Sequence, residues 1–161
     1  MTQPFSHDFT DSHLIRHCRY NKTDKKGFPI ETAFMLRTKE DYLSFNCMEK
    51  ICEEFDISTD QDLRSRMESS VRSLEQSFPL CLSTKQLWAI LHCNDIRDGI
   101  RKVTNRLPTI VLDSNPTNKS HTQVRFDRLY NDAVAGELLR RLKADNVFPV
   151  EKPRQPACHR P

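Results

Sequence analysis

Glycine is scarce in this chain: 161 residues hold three, Gly27, Gly99 and Gly136. A phosphate-cradling loop needs clustered glycines so that backbone N–H groups can close on the anion. A Gly-rich nucleotide loop is therefore excluded, and the three read as turn or packing positions. Long apolar runs are missing too, and none approaches the roughly 20 residues needed to cross a bilayer. No run of Lys and Arg appears; acidic and basic residues alternate, and the net charge is only +3. Nucleic-acid readers concentrate positive charge on one face or stripe, so composition gives DNA or RNA no support as a partner. An apolar leader is also lacking. Met1-Thr2-Gln3-Pro4 runs into histidine and acidic residues, which points to a cytoplasmic chain.

What is present suits a folded core: 37% hydrophobic residues, 29% charged, and nine Phe. The length fits one domain, since two would each fall short of core. That domain is expected over residues 1–148, with the proline-rich, basic stretch 149–161 as a mobile tail. The six cysteines are Cys18, Cys47, Cys52, Cys81, Cys93 and Cys158. Cys47 and Cys52 fall in what reads as a helix beside Met48, Ile51 and Phe55. With no leader, reduced and buried thiols are expected rather than disulfides.

Along the chain, Asp11 or Ser12 caps a short helix carrying Leu14, Ile15 and Cys18. The polar stretch 21–27 is a surface loop. Ala33-Phe34-Met35-Leu36 reads as a short strand and Tyr42-Leu43-Ser44-Phe45 as another. Asn46 followed by Glu49 makes a capping-box pattern ahead of a helix ending near Asp56. Leu63, Met67, Val71, Leu74 and Phe78 then recur at steps of four, four, three and four, an amphipathic helix stopping before Pro79. Leu87–Leu91 fits strand or helix; the strand is preferred because Asn94 or Asp95 offers a separate cap for a helix carrying Ile96, Ile100 and Val103. Leu107–Leu112 is a strand, 113–120 a loop, and His121–Phe126 one more short strand. A last helix over 131–143 carries Val134, Leu138 and Leu142. This order lacks a regular βαβ rhythm and predicts an α+β chain: a small mixed fold whose short sheet is packed by about four or five helices.

Chemistry centres on imidazoles and guanidinium groups. His13 and His17, four apart, would share one face of a helix, as a metal or phosphate contact does. A third ligand would have to come from His92-Cys93 or His121, and no Glu lies between the pair, so the metalloprotease motif is absent; no metal or cofactor is expected. His121 follows the Pro- and Asn-containing loop after a strand, a place where site residues gather. A catalytic set of His13, Arg37 and His121 would suit metal-independent phosphodiester cleavage. One imidazole removes a proton, the other donates one, and Arg37 neutralises developing charge. Arg16 and Arg125 would hold the phosphate. The plainer reading makes His121 a loop exit and Arg37 a strand end in solvent. Ser44, between Leu43 and Phe45, lacks the flanking glycines of a nucleophile elbow. Cys18 and Cys93 each adjoin a His, but sequence neighbours on a strand point to opposite faces and need not react together.

The words His13-x-x-Arg16, Ala33-Phe34-x-Leu36-Arg37, Leu43-Ser44 and Asn115-Pro116 leading to His121 resemble a group of small bacterial proteins of unassigned function. That resemblance spans most of the chain, implies a bacterial origin, and directs attention to His13, Arg16, Arg37, Ser44 and His121. It implies no activity or ligand. From the residues, the first expectation is an intracellular accessory or protein-interaction module with another protein as partner. An exposed apolar patch near 87–91 or on the last helix would serve it. The alternative is a small metal-independent hydrolase or nuclease acting on a phosphate-containing substrate, with a small anionic ligand and no membrane.

Overall fold

The computed structural model describes residues 8–19, 22–77, 86–113 and 116–151. Six strands, β1 (His13–Cys18), β2 (Leu43–Cys47), β3 (Leu87–His92), β4 (Thr109–Leu112), β5 (His121–Arg125) and β6 (Val147–Pro149), form one open sheet. Their order is β4-β5-β2-β1-β3-β6, and each neighbouring pair is antiparallel. Among the described residues four α-helices accompany it: α1 (Met48–Glu54), α2 (Leu63–Ser77), α3 (Cys93–Thr104) and α4 (Asn131–Arg141). The fold is thus a mixed one of helix and antiparallel sheet.

Alternation along the strands sorts the core into two layers. Leu14, Cys18, Leu43, Phe45, Cys47, Leu87, Ala89, Leu91 and Val124 point to one face, against Ile96 and Ile100 of α3 and Val134, Ala135 and Leu138 of α4. Ile15, Trp88, Ile90 and Phe148 point to the other, against Met48 and Ile51 of α1 and Met67, Val71 and Leu74 of α2. The second layer uses only β1, β3 and β6. On the β2–β5 half of that face the same rows carry polar groups: Ser44, Asn46, His121, Gln123 and Arg125. Helices α3 and α4 therefore pack on one face and α1 and α2 on half of the other, and the polar half borders the cleft described below.

Local chemistry sets the helix ends. Asp62 opens α2 by accepting the backbone N–H of Ser65 at 2.8 Å. At the start of α3, His92 Nδ1 accepts the N–H of Asn94 at 3.1 Å, and Asn105 closes the helix in the left-handed region at φ 61°. Gly99 sits where α3 meets α4; a Cβ there would lie 3.2 Å from Arg141 Nε and Glu137 Cγ.

Several expectations are corrected. Residues 13–18 are a strand, not a helix, because Leu14 and Ile15 are both buried on opposite faces and all six residues pair with β3. Residues 31–34 form a 3-10 turn rather than a strand at 33–36, and its Ala33 and Phe34 pack into the first layer. Asn46 caps nothing: it belongs to β2 and its Oδ1 accepts the hydroxyl of Ser120 at 2.9 Å. Glu49, the other half of the expected capping box, turns to His13 instead. The strand reading of 87–91 agrees with β3, but α3 starts directly at Cys93. Met67, Val71 and Leu74 are buried, whereas Leu63, first residue of α2, is 39% exposed. The chain beyond residue 148 is not all tail: Pro149 is in β6 and Val150 is buried. Phe78, Pro79, Cys81, Asn115, Cys158 and the stretch 152–161 lie outside the described residues.

Candidate functional site

Strands β1 and β2 share only two register pairs, Leu14↔Cys47 and Ile15↔Asn46. Beyond them the two strands part, and a cleft of about 430 Å³ opens at the fork. Arg16, His17, Arg19, Lys22, Arg37, Glu40, Ser44, Asn46 and His121 are among its lining residues. Among the described lining residues four carry fixed positive charge, and Glu40 is the one carboxylate.

Arg16 plugs the fork. Alternation sends its side chain to the first face, where it lies over the Phe45 ring at 5.7 Å. Its Nε donates to the carbonyl of Ala33 and its Nη1 to that of Ser44 at 2.9 Å, so it bridges strands that no longer bond to each other. Burial pushes the Arg16 guanidinium below its ordinary value, and Arg37 and Arg19 push the same way. An arginine remains charged under such pressure, so the cleft floor holds a desolvated cation. Arg37 is taken up by Glu40 in a two-pronged pair, Nε–Oε1 3.0 Å and Nη2–Oε2 3.1 Å. Burial works to raise the Glu40 carboxyl, but the hydrogen bonds from Arg37 outweigh it and hold it below the usual carboxylate range. Among the described residues Arg19 and Lys22 form no ion pair, so three cations face one neutralised couple.

On the second face, register builds a row across the sheet: Ile90, Ile15, Asn46 and His121. The backbone N–H of Asp113 donates to the His121 carbonyl at 2.8 Å, which extends the row past the end of β4. Ser44, two residues from Asn46 on β2, is the diagonal neighbour of His121 on this face. His121 Nε2 lies 3.3 Å from Ser44 Oγ, and its Nδ1 lies 3.4 Å from Asp113 Oδ2, long for a hydrogen bond. Tyr42 meets the His121 ring edge-on at 5.9 Å.

The expected residues separate. Arg16, Arg37 and His121 line one cleft, as does Ser44. His13 does not: its backbone N–H donates to Glu49 Oε1 at 2.8 Å, its Nδ1 lies 3.2 Å from Oε2, and its ring stands against His92 at 4.9 Å. The expected pairing of His13 with His121 as acid and base is therefore replaced by a His13–Glu49 contact. His13 and His17 do share a face, as alternate strand positions rather than helical neighbours, and the His17 ring rests on Trp88 at 5.0 Å. Arg125 lines a separate cleft of about 540 Å³ with Thr104, Leu107, Phe126 and Tyr130, and its guanidinium lies over Tyr42 at 5.1 Å. Asp113 was not singled out in the sequence, yet pairing the two strands around loop 113–120 as a hairpin would have set it beside His121.

No protein-family model, no curated protein and no solved structure matches the chain.

Proposed function

We propose that the chain binds a small phosphate-containing ligand in the fork cleft and acts on it as a metal-independent hydrolase. The observation that carries this reading is the charge of the cleft: Arg16, Arg19 and Lys22 stand beside an Arg37–Glu40 couple, with no further carboxylate among the described lining residues. A cation fixed by two carbonyls, as Arg16 is, has paid its ordering entropy before an anion arrives. Its own partners use Nε and Nη1 and leave Nη2 without a partner among the described residues.

Calorimetric titration with pyrophosphate and with a nucleoside monophosphate tests the reading. Binding weakens with salt, and Arg19→Ala with Lys22→Ala reduces affinity at least tenfold, since a charge-assisted contact contributes about 1.5–3 kcal/mol. Unaltered affinity in that double variant, or no heat with either anion, overturns it.

A second reading, an accessory module that docks another protein, is favoured by Leu129 at 89% and Leu107 at 60% exposure, with Tyr130 also exposed. Leu107 and Tyr130 line the Arg125 cleft. Among the described residues no helix is long and apolar enough to cross a membrane.

A further inference from the structure

The hydroxyl of Ser44 makes one hydrogen bond among the described residues, to His121 Nε2 at 3.3 Å. The far nitrogen of that ring, Nδ1, is buried without a hydrogen-bond partner of good geometry and lies 3.4 Å from Asp113 Oδ2. The same Asp113 oxygen accepts Gln123 Nε2 at 2.7 Å, which fixes the carboxylate in place. Three side chains from β2, β5 and the end of β4 thus stand as hydroxyl, imidazole and carboxylate in line, with the hydroxyl on the cleft wall. Arg16, whose Nη1 donates to the backbone carbonyl of Ser44, lines the same cleft. Nucleophilic centres often show such contacts slightly long before a substrate arrives.

We propose that Ser44 is the nucleophile of the fork cleft, with His121 as its base and Asp113 as the positioning residue that holds the His121 ring. The proposal rests on the cleft being the ligand site and names a phosphate ester as its substrate class. Ser44 Oγ attacks phosphorus while His121 Nε2 takes the hydroxyl proton. The bond from phosphorus to the leaving oxygen breaks, and His121 returns the proton to that oxygen, which departs as an alcohol. Water then attacks the phosphoryl-serine, giving a proton to His121. The Ser44–phosphorus bond breaks, the proton returns to Ser44, and inorganic phosphate or a phosphomonoester leaves. Arg16 and the neighbouring cations offset charge on the non-bridging oxygens throughout.

The full chain is treated with a fluorophosphonate, whose phosphorus accepts a serine oxygen as fluoride leaves, and the modified peptide is mapped by mass spectrometry. Ser44 is expected to react at least tenfold faster than any other serine. His121→Gln lowers that rate by about 10²–10⁴-fold, in the range for a lost general base. Asp113→Asn lowers it by a smaller factor, and His121→Gln and wild type melt alike. An unlabelled Ser44 in the wild type, or equal labelling in His121→Gln, overturns the proposal. Pyrophosphate binding by Ser44→Ala separates the two readings. Retained binding with no wild-type labelling sinks the nucleophile and leaves the anion site standing. Labelling without any anion binding sinks the site as drawn, and with it the phosphate-ester assignment.

Discussion

Trp88 and Glu75 meet in the second core layer, where the indole Nε1 donates to Glu75 Oε1 at 3.1 Å. The same oxygen accepts Arg72 Nη1 at 2.6 Å and the backbone N–H of Glu151 at 3.2 Å. One carboxylate therefore ties α2 to β3 and to the chain beyond β6, and its side chain is fully enclosed.

Removing Glu75 leaves the Trp88 N–H buried without its acceptor and takes one carboxylate from Arg72, which keeps the Pro149 carbonyl and Glu151. Glu75→Ala is expected to lower stability by about 3–5 kcal/mol. Arg72→Met combined with Glu75→Leu should recover more than half of that loss, because the charge is then removed with its counter-charge. Urea unfolding followed by fluorescence of the one tryptophan measures both. A loss below about 1 kcal/mol in Glu75→Ala would show that the contact is expendable.

His17 supplies a dependence on mild acid. Burial pushes its imidazole below the ordinary 6.5, against the pull of its Gln86 hydrogen bond at 3.0 Å. A base whose folded value is depressed stays neutral in the native chain while the unfolded chain takes up a proton. Its stabilising contribution is present above about pH 6.5 and is lost as pH falls toward the depressed value. Melting temperature followed from pH 7.5 to 5 should fall more steeply in wild type than in His17→Gln. Parallel curves would contradict the assignment.

Glu49 acts in a more acid window. Burial works to raise its carboxyl, but the ring and backbone hydrogen bonds of His13 outweigh it and hold the group below the ordinary 4.5. Its stabilisation is complete above about pH 4.5 and disappears as pH falls through the depressed value. The stability difference between wild type and Glu49→Gln should therefore shrink between pH 5 and 3 in denaturant titrations. A difference independent of pH would rule the charged form out as the source.

Thiol chemistry reports on the first core layer. Burial pushes Cys18 and Cys47 up to about 12 and Cys93 up to about 11. Thiolates at these positions are rare at pH 8, so iodoacetamide should modify them only as the chain unfolds. Peptide mapping over time decides it; prompt alkylation of Cys18 in the native chain would contradict the packing.

Sequence pattern reached some of this and missed the rest for physical reasons. The repeat Met67, Val71, Leu74 was legible because one face of α2 is buried and the other is not. Strand β1 was not, because a strand covered on both faces places Leu14 beside Ile15 and erases the alternation that marks a strand. His13 and His17 compound the ambiguity, since a spacing of four fits one helix face and one strand face alike. Three-residue β6 carries too few positions for any period. At the site, Arg16, Arg37 and His121 were named from residue type, but their company was not. Glu49 captured His13 through a long-range contact, and Asp113 reached His121 through hairpin pairing. The resemblance points to Ser44, but without elbow glycines sequence alone assigns it no role, because its access to the cleft comes from the parting of two strands rather than from a tight turn.

That parting has a mechanical side. Six rungs join β1 to β3 and four join β2 to β5, while two join β1 to β2. The sheet is in effect a pair of ribbons stitched together at one end, by a short seam whose Leu14, Ile15 and Cys47 are fully buried. Arg16 spans the open end through the Ser44 carbonyl, and an anion lodged among the cations there would act as a second clasp, slowing exchange in both ribbons at once.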